Sequence, residues 1–325
     1  METPEQTIPL LPKQKILLRV ALITIGSLFI LLMYSMTFIE PQEVKVTTVP
    51  IVHPKNPFTA LTLEAKSIYV YDVNTKKVLF SKNADTILPL ASLTKLVTAV
   101  TALELIPEYT TITVGKEDLK GEGDTGLYAG EKWRLSDLIR FMLLSSSNDG
   151  ASAIAAAAGA IEDTATNSTD STNRGRSMFI EDMNKKTELL GLDGVYFMNE
   201  TGLDVSEKIS GGYGSSKDVA MFFSYALLNH PEVIESTRYS SQTISSNDRT
   251  HEVKNTNKII GKIPGIIGSK TGFTDLAGGN LVIAFDAGIN KPIIISVLGS
   301  GEDGRFTDVE KLVWASLEYL HDFEK

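Results

Sequence analysis

The sequence contains no cysteine. That absence excludes a disulfide scaffold, a thiolate nucleophile, an iron–sulfur cluster and any Cys-ligated zinc. Histidine is scarce: His53, His230, His251 and His321 are the whole set, and none forms a His-x-x-x-His pair. A histidine zinc site is therefore not expected. Positive charge is in deficit, with 31 Lys+Arg against 40 Asp+Glu and a net charge of −9. A general nucleic-acid binder needs basic surface to displace counterions, so nucleic acid is not an expected partner. No internal repeat is visible. What remains is ordinary for a globular chain: 325 residues, 42% hydrophobic and 22% charged, which excludes wholesale disorder.

Charge is absent again, locally, from Val20 to Ile39 (VALITIGSLFILLMYSMTFI). A helix of that length spans about 30 Å, the hydrocarbon core of a bilayer. Lys13, Lys15 and Arg19 precede the run, and Glu40 and Glu43 follow it. The positive-inside bias predicts a cytoplasmic tail at 1–19, a transmembrane anchor at 20–39 and everything beyond on the outer side. The run is long and ends without a small-x-small cleavage site, so an uncleaved anchor is expected rather than a signal peptide. Residues 1–43 carry −1 of the net charge and residues 44–325 the other −8.

Residues 40–62 hold Pro41, Pro50, Pro54 and Pro57 and read as a stiff extracytoplasmic linker. The rest, residues 63–325, reads as the folded domain. SIYVYD (67–72) and KVLFS (77–81) predict a β-hairpin around an Asn74-containing turn. Apolar spacing predicts helices at Ser92–Ile106, Leu135–Leu144, Ala151–Ile161, Met178–Leu190, Ser215–Leu228 and Asp308–His321. NLVIAFDA (280–287) and PIIISVLG (292–299) predict two more strands. Glu162–Arg176 is polar and low in complexity and reads as an exposed loop. Its Asn167-Ser168-Thr169 is a short glycosylation pattern that carries little weight. Strands, then helices, then strands, then a helix give an α+β domain whose antiparallel sheet pairs N-terminal with C-terminal strands around a helical subdomain.

Three short elements could carry chemistry. Ser92 and Lys95 stand three residues apart, one helical turn. A serine hydroxyl needs a base, and a lysine can be that base when burial, a helix N-terminus or a second cation lowers its pKa. This is the chain's only Ser-x-x-Lys, although such pairs ordinarily just decorate a helix. Ser146 and Asn148 sit between two predicted helices, where a hydroxyl and an amide could relay a proton and hold a substrate amide. Ser and Asn there are more often caps, and Ser245-Ser246-Asn247 repeats the pattern in a polar loop. Lys270-Thr271-Gly272 lies on a predicted strand: a fixed cation, a hydroxyl donor and a residue that lets a substrate backbone approach. Alone it is a common surface tripeptide.

Together and in this order the three elements resemble the penicillin-recognising serine peptidases and serine β-lactamases. The similarity runs past the motifs. ILPLASLTKLVTAVTALEL (87–105), LSDLIRFMLLSSSNDGASAIA (135–155), MNKKTELLGLDGVYFMNETGL (183–203), YGSSKDVAMF (213–222) and GSKTGFTDLAGGNLVIAF (268–285) resemble low-molecular-mass D-alanyl-D-alanine carboxypeptidases. The match covers about Leu61 to Tyr319. It implies a β-lactamase/DD-peptidase-like fold, a peptidoglycan stem peptide as substrate, β-lactams as inhibitors and no metal or organic cofactor. It implies Ser92 as nucleophile, Lys95 as base and Ser146 as proton relay. Asn148, Lys270, Thr271 and Gly272 would bind substrate, and the N–H groups of Ser92 and Phe273 would form the oxyanion hole. Arg305 falls where these enzymes often place a basic residue near the substrate carboxylate. The resemblance places the protein in a bacterial cell membrane with its catalytic domain outside; it does not address oligomeric state.

The chain departs from that pattern in places. Gly150 replaces a usual Ala, the 162–176 segment looks inserted, and too few residues follow Gly272 for the β-rich C-terminal domain and amphipathic helix common in the family, so the N-terminal span is expected to do the anchoring. Alternatives are a D,D-endopeptidase on cross-links, a β-lactamase with Glu181 as deacylating acid, and a catalytically silent wall-binding protein. Gly121–Gly126 matches G-x-G-x-x-G literally, but Glu122 and Asp124 would repel phosphate, and a loop is expected.

Overall fold

The computed structural model describes residues 11–37, 55–123, 126–162 and 171–323. The chain forms two units, residues 1–53 and 54–325. In the first, the helix Pro12–Thr37 is exposed along its whole length and is long and apolar enough to cross a membrane. It starts before the uncharged run and takes in Lys13, Lys15 and Arg19; Phe38 and Ile39 lie outside the described residues. Its polar side chains bond backward along the helix: Thr24 to the Val20 and Ala21 carbonyls, Ser27 to Thr24, Ser35 to Leu32. Such back-bonding leaves few polar groups needing water, as a lipid environment demands.

The second unit is built on a five-stranded antiparallel sheet ordered Ile266–Thr274, Gly278–Asp286, Pro292–Ser300, Ser67–Asp72, Val78–Lys82. The N-terminal hairpin thus pairs with the C-terminal strands, as the element order requires. Successive side chains point to opposite faces. Ile68, Val70, Leu281, Ile283, Ile293 and Ile295 pack under the helix Gly304–Phe323 with Phe306, Val309 and Leu312. Tyr69, Val282, Ala284, Ile294 and Leu298 face the helical layer instead. The central strands are covered on both sides, which is why they read as unbroken apolar runs rather than alternating ones. At the centre of the helical layer, Thr94–Leu105 is buried from Thr94 to Ala102.

Two boundaries differ from expectation. The linker ends earlier: residues 55–62 belong to the second unit, because Phe58 is buried and stacks on Phe80 with ring centroids 5.1 Å apart. Residues 38–54 lie outside the described residues. The polar segment after Glu162 is not a loop throughout. Residues 163–170, with the glycosylation pattern, lie outside the described residues, but Ser171–Leu189 is one helix that includes Arg176. It packs on Asn148–Glu162 through backbone contact of Gly175 against Gly159, where any Cβ would collide. Arg176 adds an ion pair to buried Asp118, Nη2 to Oδ1 at 2.8 Å. Tertiary contact therefore overrides a composition that favours a loop.

Candidate active site

Ser92 sits in a 3-10 turn, Ala91–Leu93, directly before Thr94–Leu105. Ala91 is held at φ 49, in the left-handed region that non-glycine residues avoid. Lys95 Nζ lies 2.9 Å from Ser92 Oγ, 2.7 Å from Asn148 Oδ1 and 2.7 Å from the Thr201 carbonyl. Its side chain is fully buried. Burial lowers its pKa from 10.5 to about 7, and Glu200 pulls the other way. An ammonium would donate to all three partners. The neutral amine donates to Asn148 and Thr201 and turns its lone pair to the Ser92 hydroxyl. The third partner was not foreseeable from residue types, since Thr201 contributes only its backbone.

The Thr201 carbonyl is aimed by its own turn. Asn199 Oδ1 accepts the Gly202 N–H at 2.7 Å and the Thr201 N–H at 3.2 Å, and Gly202 has φ +77. A Cβ on Gly202 would collide with the Ala91 carbonyl and lie 2.7 Å from Thr94 Oγ1. Gly202→Ala is therefore expected to cost about 2–4 kcal/mol in urea unfolding, through backbone strain and displacement of the turn carrying Ser92.

Ser146 ends the helix Leu135–Ser145 in the left-handed conformation, φ 62 and ψ 34, and so leaves the helix axis toward the strand. Lys270 Nζ donates to Ser146 Oγ and to the Thr271 carbonyl, both at 2.8 Å. Lys270 is buried, and burial, then Lys95, then Arg305 push its pKa well below the usual lysine range. Its positive charge is thus costly to hold in the empty site, and an arriving anion would offset that cost. Thr271 Oγ1 is 2.6 Å from Thr256 Oγ1, a partner outside the three motifs.

Gly272 passes against the nucleophile's turn, where a Cβ would lie 2.8 Å from the Leu90 carbonyl and 3.2 Å from the Ser92 nitrogen. Only glycine permits that approach. Arg305 Nη1 donates to the Gly272 carbonyl at 2.7 Å, and its guanidinium is buried beside Phe273 and Phe306. Arg305 therefore secures this strand from behind. Phe273 is half exposed at the lip. All nine expected site residues lie in one neighbourhood. The Gly121–Gly126 loop also joins it, since Asn148 Nδ2 donates to the Glu122 carbonyl at 2.6 Å; Asp124 and Thr125 lie outside the described residues.

Three further sequence features have plain structural places. Glu181 is exposed on its helix, away from acid–base duty. Ser246 donates to Glu131 Oε1 at 2.7 Å at the tip of the hairpin Ser241–Ser245/Thr250–Lys254, so the repeated Ser-Ser-Asn is structural. A Cβ at Gly150 would sit 3.3 Å from both Met142 Cβ and Ser147 Oγ, so glycine eases a tight helix start. A groove beside Phe273 is lined by Glu122, Leu203, Asp204, Ser206, Glu207 and Asp275. It runs by the strand Ile266–Thr274, which stands at the sheet edge.

A family model described as D-alanyl-D-alanine carboxypeptidase matches residues 52–302. The D-alanyl-D-alanine carboxypeptidase DacF of Bacillus subtilis is 27% identical over 266 residues, 78% of this chain and 62% of that relative, so the chain spans less than two thirds of that protein's length. A D-alanyl-D-alanine endopeptidase of Haemophilus influenzae is 33% identical over 67% of this chain and 69% of its own. The solved structure of penicillin-binding protein D2 from Listeria monocytogenes, in its ampicillin-bound form, superposes with TM-score 0.65 at 30% identity, covering 78% of this chain and 98% of that one. The fold is that of the β-lactamase/DD-peptidase group. The chain belongs to the D-alanyl-D-alanine carboxypeptidase family.

Proposed function

We propose that this protein is a serine D-alanyl-D-alanine carboxypeptidase that removes the terminal D-Ala from peptidoglycan stem peptides. The observation that carries the reading is a buried Lys95, lowered to about 7, at 2.9 Å from Ser92 Oγ. Such an amine takes the serine proton at neutral pH. Ser92 Oγ then bonds to the carbonyl carbon between the two D-alanines, and the oxyanion is held by the N–H groups of Ser92 and Phe273. The C–N bond breaks, and the leaving amine takes a proton relayed through Ser146. Water, deprotonated by Lys95, cleaves the acyl-enzyme ester and restores Ser92. Asn148 orients the peptide amide, and Lys270 and Thr271 bind the incoming terminal carboxylate. An extended peptide can lie along the edge strand Ile266–Thr274.

The N-terminal helix anchors the protein in the bacterial cell membrane, with the catalytic unit outside. The family and the apolar helix support that location. β-Lactams inhibit by acylating Ser92, a reading supported by the ampicillin-bound relative.

A second reading, D,D-endopeptidase action on cross-links, is favoured by the 33% identical relative of that name. The full-length chain in detergent, incubated with a free pentapeptide and with a cross-linked dimer, separates the two. D-Ala release from the pentapeptide with the dimer left intact is expected. Cleavage of the dimer alone would establish the endopeptidase. A bound fluorescent penicillin should persist, whereas rapid turnover would mark a β-lactamase and absence of label a silent binder.

A further inference from the structure

Behind the Ser92–Lys95 pair stands an acid that the mechanism does not use. Glu200 is 4% exposed, yet it is fastened to both helices that carry the base and its partner. Its carbonyl accepts from Thr98 Oγ1 at 2.7 Å, one turn along the helix from Lys95. Its carboxylate Oε1 accepts from Ser152 Oγ at 2.7 Å, one turn along from Asn148. The next carbonyl in the chain, Thr201, is the one that receives Lys95 Nζ. A buried carboxylate requires a countercharge. Arg176 supplies it from the helix Ser171–Leu189, with Nε 3.7 Å from Glu200 Oε1, while Nη2 bonds Asp118 Oδ1 at 2.8 Å. One guanidinium thus serves two carboxylates.

We propose that Glu200 is a positioning residue for the Ser92–Lys95 pair, and that Arg176 sets how strongly its charge is felt at Lys95. The inference rests on the proposed role of Lys95 as base. Titratable groups surround Lys95 on two sides. Lys270 and Arg305 stand on the strand side. Glu200, Asp118 and Arg176 stand behind, and Asp149 is buried in the first turn of Asn148–Glu162. Burial alone would favour a neutral, weakly basic amine, and Glu200 opposes it. A catalytic base works best with its pKa near the working pH, and Glu200 holds Lys95 there. Burial raises the Asp118 carboxyl, and Arg176 counters that as well.

The test is the pH dependence of acylation of the full-length chain by a fluorescent penicillin, from pH 5 to 9. E200Q keeps the acceptor for Ser152 and removes the charge. Its acid-limb midpoint is expected to move down by about half a unit, so that acylation at pH 5 is about threefold faster than in wild type. R176Q bares Glu200, and its midpoint is expected to move up by a similar amount; R176K is expected to restore the wild-type profile. A merely structural role would not shift the two variants in opposite directions. Midpoints within about 0.2 unit of wild type in both, or shifts of the same sign, would overturn the inference. If R176Q does not fold, E200Q decides alone: a downward shift supports, an unmoved midpoint overturns. A wild-type chain that takes no label, or shows no acid limb, instead strikes the proposed function, and the inference falls with it.

Discussion

Ser92→Ala is expected to take no penicillin label and to lose at least about 10⁴-fold in D-Ala release, with the fold intact. The magnitude follows from what the hydroxyl does: without Oγ no acyl-enzyme can form, and only binding and the oxyanion N–H groups remain. The fold should survive because Ser92 Oγ is not a structural strut. Its bond is to Lys95, which keeps Asn148 Oδ1 and the Thr201 carbonyl as acceptors. Alanine has no steric quarrel with a 3-10 turn, so stability should stay within about 1 kcal/mol of wild type. Intact-mass spectrometry after incubation with penicillin reads the first outcome and urea unfolding the second. A penicilloyl adduct on the variant would remove Ser92 from the role. Peptide mapping would then ask whether Ser146, another hydroxyl of the site, had taken its place.

The sheet was legible because its strands are long, β-branched and bounded by turn residues, so the 67–82 hairpin and the 278–300 pair agree with expectation to within a residue or two. The three motifs were legible because their chemistry depends on side-chain type at short spacing. Other features depend on tertiary context. Ser171–Arg176 reads as loop by composition, and tertiary contacts such as Gly175 against Gly159 and Arg176 against Asp118 hold it as helix. The Thr201 carbonyl acts through backbone, which no side-chain pattern announces. Glu200 stood in view within FMNETGL, but an isolated acid signals nothing until its burial is known. Lys270 shows the same limit: its type says cation, and only its burial beside Lys95 and Arg305 shows how costly that charge is to hold. The left-handed backbone at Ala91 and Ser146 had no local signal, because neither is glycine or asparagine; packing of the site imposes it.

Lys95→Met and Lys95→Arg are both expected to slow acylation by about 10³-fold, the scale of losing a positioned base. The pair separates two things a lysine can do. Methionine removes proton acceptance and charge together. Arginine keeps a charge but cannot give up its proton at any working pH, so equal damage from both would assign the loss to the missing base. The wild-type profile carries the complementary signature. With Lys95 at about 7, the reactive form is the neutral amine, so activity is present above that value and fades as pH falls through it. About 90% of Lys95 is neutral at pH 8 and about 1% at pH 5, so acylation should slow about 100-fold between them. In both variants that limb should vanish and the residual rate be flat. Folding needs separate control, because either substitution disturbs the buried acceptors Asn148 Oδ1 and Thr201 O, and a buried acceptor left unpaired costs about 1–3 kcal/mol. A folded Lys95→Arg protein that acylates at a tenth of the wild-type rate or faster would show that the position needs only a cation, and the proton of Ser92 would then have to leave by another route.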